Sequence, residues 1–127
     1  MKKALRSSLF LGVSIGMFMS CSDDESVPED PVQTDPAITL DCNYFNEDRI
    51  LTDNPNAAVD YIIDCVMRVS ADIIIEPGVV IEFGQNAGIE IDDFNVPYAS
   101  LSAEGTAAKP IVFRGAVSGA GYWRGLL

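Results

Sequence analysis

Histidine is absent from the 127 residues, and bases are scarce, with 8 Lys and Arg against 19 Asp and Glu. Without histidine there is no Ser-His-Asp or Cys-His nucleophile system within this chain, and no His-ligated zinc or iron site. Catalysis would have to rest on carboxylates, Lys, Arg or Tyr. Three of the eight bases, Lys2, Lys3 and Arg6, lie in the first six residues, and every acidic residue comes later. Removal of a leader would leave five bases, nineteen acids and a net charge of −14. So acidic a chain repels phosphate, which argues against nucleic acid as a partner. It also argues against attachment to anionic lipid through basic side chains. The longest apolar run, Leu9 to Met19, is shorter than the roughly 20 residues a membrane-spanning helix needs. The half beyond Tyr61 has no helix-period stretch of useful length.

What is present begins with a leader. Residues 1–20, MKKALRSSLFLGVSIGMFMS, join a basic start to a short apolar core and a small residue, the pattern of a secretory signal. Phe18-Met19-Ser20-Cys21 resembles a bacterial lipobox, with small Ser20 before the cysteine and Phe18 where an aliphatic residue is usual. The resemblance implies that Cys21 is acylated and becomes the new N-terminus; ordinary secretion is the alternative. Several acyl chains anchor a protein far better than one, since each buried CH₂ adds about 0.8 kcal/mol. Ser22-Asp23-Asp24-Glu25-Ser26 follows. An acidic cluster in that place resembles the surface-export signal of Bacteroidota lipoproteins, which implies a lipid-anchored location on the outer membrane, exposed at the cell surface. Residues 21–40 carry Pro28, Pro31 and Pro36 among acids and are read as a disordered tether.

Cys42 and Cys65 remain. Outside the cytoplasm two such thiols tend to oxidise, so they are expected to form a structural disulfide, with two free buried cysteines as the alternative. Neither CxxC spacing nor histidine accompanies them, and no metal or other cofactor is expected. Residues 41–65 read as an N-terminal cap.

From Tyr61 onward, short β-branched runs alternate with turns. Asp72-Ile73-Ile74-Ile75 leads through Glu76-Pro77-Gly78 into Val79-Val80-Ile81-Glu82-Phe83. Gly88-Ile89-Glu90-Ile91 alternates apolar and acidic residues, as a half-buried strand does. Leu101-Ser102-Ala103, Ile111-Val112-Phe113-Arg114 and Trp123-Arg124-Gly125-Leu126 repeat these three elements in the same order about thirty residues later. Strands in a fixed repeating order point to a chain that stacks on itself, apolar residues inward. The segments IIIEPGVVIEFG, AGIEI, LSAEGT, KPIVFRG and YWRGLL resemble the right-handed parallel β-helix proteins of the pectate-lyase-like class, as found among Bacteroidota lipoproteins. The resemblance covers about residues 40–127. It implies an all-β, right-handed parallel β-helix starting at about residue 66, incomplete after about two turns, and hence an N-terminal fragment of a longer protein.

Candidate site residues are few. Glu90, Asp92 and Asp93 could suit calcium, but their alternation with apolar residues reads as a solvated strand face. Arg68, Lys109, Arg114 and Arg124 could supply a catalytic base or clamp an acidic sugar; they read instead as edge or outer-face charges. Tyr98, Tyr122 and Trp123 could stack on sugar rings, and packing is the preferred reading. No catalytic residue is assigned, and the chain is not expected to be an enzyme by itself. The expected role is interaction, adhesion or glycan binding at the cell surface, with polysaccharide or a surface protein as partner. The alternative is the front of a polysaccharide lyase or hydrolase whose active site lies beyond residue 127. The fold decides nothing between them.

Overall fold

The computed structural model describes residues 32, 34–91 and 98–127; the leader, Cys21 and the acidic cluster lie outside them. The chain divides into two units, Met1–Pro31 and Val32–Leu127, and the second is described here. It is nearly all β. Among the described residues ten short strands are joined by turns, and the one helical element is a single 3₁₀ turn, Tyr44–Asn46.

The strands are β1 (Ile38–Thr39), β2 (Arg49–Leu51), β3 (Tyr61–Ile63), β4 (Val66–Val69) and β5 (Asp72–Ile75). After them come β6 (Val80–Phe83), β7 (Gly88–Ile91), β8 (Ser100–Ala103), β9 (Val112–Gly115) and β10 (Gly125–Leu126). They form three sheets, ordered β1-β3-β6-β9, β4-β7-β10 and β2-β5-β8. Every strand pair is parallel, which rules out an antiparallel sandwich. From β3 onward the chain visits the first, second and third sheets in turn, then begins again with β6 and with β9. Each such pass is called a layer below.

Side-chain parity along the strands explains the core. Tyr61, Ile81 and Phe113 are register partners in the first sheet, as are Ile63, Phe83 and Gly115. Met67 and Ile89 match in the second sheet, and Leu51 and Ile75 in the third. These alternate positions point to one side, as period-2 strand geometry requires, and Ile63, Phe83, Met67, Ile89 and Leu51 are fully buried. The intervening residues face out and pair across layers. Arg68 meets Glu90 at 3.4 Å, and Arg114 meets Glu82 at 3.2 Å.

The lower end of this core is closed by chain that sequence reading assigned elsewhere. The tether expected through residue 40 becomes folded chain earlier, because Ile38 and Thr39 pair with Tyr61 and Ile62 and Leu40 is buried. The cap expected over 41–65 holds two working strands, since β2 pairs with β5 and β3 lies between β1 and β6. Only the short segment between β1 and β2 acts as a cover. There Phe45 is fully buried, and the Arg49 guanidinium lies 4.4 Å from the Tyr44 ring centre while its Nε donates to the Tyr44 carbonyl at 3.1 Å. Proline and acid around β1 hid its few apolar residues from pattern reading. Cys42 and Cys65 are joined as a disulfide, with Cα atoms 6.1 Å apart, tying this cover to the corner between β3 and β4.

Two turns show how the layers lock together. Asp60 is almost wholly buried. Its carboxylate accepts the Asn54 N–H at 2.7 Å and the Val80 N–H at 2.8 Å, so it holds one corner loop and the next layer at once. Gly78, at φ +94°, lies between Asp53 and Lys109, whose ion pair closes at 3.0 Å. A Cβ there would stand 2.8 Å from the Asp53 carboxylate, so glycine is needed for space as well as for backbone angle.

Candidate functional site

A concavity of about 630 Å³ lies where the first sheet gives way to the loop after β9. Its floor is the Glu82–Arg114 pair, with the Arg114 Nε donating to Glu82 Oε2 at 3.2 Å. Phe113 and Trp123 supply apolar wall, and Ala116, Val117 and Ser118 are among the other lining residues.

The wall is set by packing. Phe83 is fully buried, and the Trp123 ring stacks on it with centroids 4.3 Å apart and planes 11° apart. Gly115 makes room for this. A Cβ on it would lie 2.9 Å from the Tyr122 ring, 3.0 Å from Trp123 and 3.0 Å from the Val117 carbonyl. The loop is tied back to the layer below, where the Asn86 backbone N–H donates to the Tyr122 carbonyl at 2.8 Å and the Arg124 backbone N–H donates to the Ala87 carbonyl at 2.7 Å. Trp123 therefore spends one face on the core and presents only its remaining surface to the groove.

Chemically the groove offers a guanidinium, a carboxylate, a serine hydroxyl and aromatic surface in a half-open setting. Such a set can exchange hydrogen bonds with a hydroxyl-rich ligand, because guanidinium N–H groups donate and carboxylate oxygens accept. The two charges neutralise each other across the layers.

The other candidates are dispersed. Glu90 is engaged by Arg68, and Asp92 and Asp93 lie outside the described residues. Among the described residues no three Cys, Asp or Glu side chains gather as a metal cage. Lys109 is held by Asp53, on a different corner from Arg114. Tyr98 is 83% exposed and stands apart from Trp123 in the chain and in the groove lining. Structure thus brings Arg114 and Trp123 together and leaves Arg68, Lys109 and Tyr98 elsewhere. Glu82 was not singled out from sequence; its signal was an acid between inward Ile81 and Phe83, facing the position that Arg114 occupies one layer later. A second, smaller concavity of about 320 Å³ runs along the third sheet beside Glu76, Ser102 and Glu104.

No family model, no curated protein and no solved structure matches this chain. Among the described residues no helix is long and apolar enough to cross a membrane.

Proposed function

We propose that this chain is a lipid-anchored protein of the bacterial outer surface, with a right-handed parallel β-helix body that binds glycan without catalysis. The basic-then-apolar leader, Cys21 in its lipobox-like setting and the acidic run after it support the anchor. Parallel strands that visit three sheets in one repeating order support the β-helix. The observation that carries the binding role is the groove in which Glu82 and Arg114 pair beside Trp123. A paired donor and acceptor next to apolar surface suits the alternating hydroxyl and C–H faces of a sugar.

Two measurements test this reading. Mass spectrometry of the membrane fraction is expected to find the chain starting at an acylated Cys21; an unmodified Cys21 behind an intact leader refutes the anchor. A glycan array probed with the full chain is expected to show binding that Arg114→Ala weakens. Absence of any glycan signal, or a signal that Arg114→Ala leaves unchanged, refutes the groove as the binding site.

A further inference from the structure

The outward faces of the three sheets differ in how their charges are met. On the first sheet Glu82 is answered by Arg114, and on the second Glu90 is answered by Arg68. The third sheet has another character. Its strands β2, β5 and β8 set Ile50, Ile74 and Ser102 at one outward register, and the next outward position holds Thr52, Glu76 and Glu104. Ile50 is 59% exposed and Ile74 47%, so two isoleucines stand side by side in water. Among the described residues no base comes within ion-pair distance of Glu76 or Glu104. Like charges at neighbouring positions of adjacent strands repel. Ile74, Glu76, Pro77, Ser102, Glu104 and Thr106 line the concavity of about 320 Å³ on this face. Its centre, Ile74 to Glu76, belongs to β5 and the turn after it, with β2 on one side and β8 on the other.

None of the described bases sits against these acids. Arg49 is held by Glu47, Arg68 by Glu90, Lys109 by Asp53 and Arg114 by Glu82. Arg124 leads into β10, on the second sheet. Residues 7–48 and 92–97 contain no Lys or Arg, so neither the tether nor the segment between β7 and β8 carries a cation to this face.

We propose that the outer face of the third sheet seats an arginine of a partner polypeptide, presented beside an apolar residue. The guanidinium would lie between Glu76 and Glu104, its planar fork offering N–H donors to both carboxylates. Its methylene stem and the apolar neighbour would cover Ile74 and Ile50, since long basic side chains lay their stems on apolar surface. The Ser102 and Thr106 hydroxyls, in the same concavity, accept remaining donors. An anionic membrane fits less well, because the glutamates repel its headgroups. A second copy also fits less well, because a net charge of −11 sets two copies against each other. The face is apart from the groove of Arg114 and does not rest on the glycan reading.

The probe is a labelled peptide Gly-Leu-Arg-Leu-Gly, compared with the same peptide bearing citrulline, which keeps the shape of arginine without its charge. Binding to the full chain is read by fluorescence anisotropy at low salt. The arginine peptide is expected to bind about ten-fold tighter, the size of one charge-assisted hydrogen bond. Glu76→Gln with Glu104→Gln, both at exposed positions where the fold is kept, is expected to abolish that preference. Ile74→Ser is expected to weaken both peptides about three-fold and leave their ratio unchanged. Glu47→Gln with Asp64→Asn removes the same charge elsewhere and is expected to leave the preference intact. Failure of the arginine peptide to bind overturns the proposal, as does equal binding of the two peptides or a preference that survives the double glutamine variant. Loss of the preference in Glu47→Gln with Asp64→Asn overturns it too, since the general field of the protein is then acting. Self-association in sedimentation that the double glutamine variant removes also overturns it, because the occupant is then a second copy. The peptides carry no sugar, so each result is independent of the glycan array.

Discussion

The second layer, β6 to β8, and the third, β9 and β10, are built from similar sequence yet sit in opposite circumstances. Among the described residues β6 has a strand on each side, and β9 has one. The inward side chains of β6, Ile81 and Phe83, are fully buried, while Phe113 on β9 is half-buried. Stacking, rather than strand sequence, thus decides how much each apolar residue contributes, because a parallel layer is sealed only when both neighbours are present.

The sharpest way to break this comparison is to truncate the same residue type in both layers. Phe83→Ala removes a ring that stacks on Trp123 and lies near Phe113, at a centroid distance of 6.3 Å. The expected loss is about 3–5 kcal/mol, the usual range for a fully buried phenylalanine. Phe113→Ala is expected to cost about half as much, since water already reaches part of its surface. Denaturant titration of both variants checks this; equal losses would mean that Phe113 is packed in solution as fully as Phe83.

Closing the lower end differently gives the next effect. Cys42→Ser with Cys65→Ser opens a link of sequence separation 23. A loop of that size corresponds to about 3 kcal/mol in the chain-entropy account. The loss is expected in thermal melts, and a reductant is expected to reproduce it in the parent chain. Asp60→Ala follows, at about 2 kcal/mol, because it orphans two backbone N–H groups held by one buried carboxylate. Hydrogen exchange is expected to rise at Asn54 and Val80 together, which a purely local defect would not cause.

How far the sequence speaks follows from the same physics. Ile81-Glu82-Phe83 and Val112-Phe113-Arg114 are legible as strands because alternation is local and both faces are occupied. Their register is less so. Aligning VVIEFG with PIVFRG by their glycines sets Gly84 opposite Gly115, whereas Gly115 lies opposite Phe83. A one-residue shift exchanges inner for outer faces, so only packing fixes it. β1 and β2 were hidden because two or three residues carry no period, and their partners lie over twenty residues away. Of the groove, Arg114 and Trp123 were visible as candidates, but the role of Gly115 in seating the aromatic pair depends on distances that no spacing reveals.

The smallest effect tests what the charges between layers do. Arg68 and Glu90 pair at 3.4 Å with side chains 60% and 35% exposed, so solvent screens them. Arg68→Ala is expected to change stability by less than about 0.5 kcal/mol, as exposed pairs do. The pair nonetheless sits at matched register, with Met67 opposite Ile89 on one side and Val69 opposite Ile91 on the other. Slipping β4 by one residue would turn Arg68 toward the core and Met67 toward water, and the apolar residues already forbid that at far greater cost. The ion pair therefore reinforces a register that packing sets. Reversing it, as Arg68→Glu, places like charges at the same exposed position and is expected to remain within about 1 kcal/mol of the parent. A loss above 2 kcal/mol in denaturant titration would show that the outer charges share in holding the layers together, and the contrast between sealed and open layers could not then be assigned to apolar burial alone.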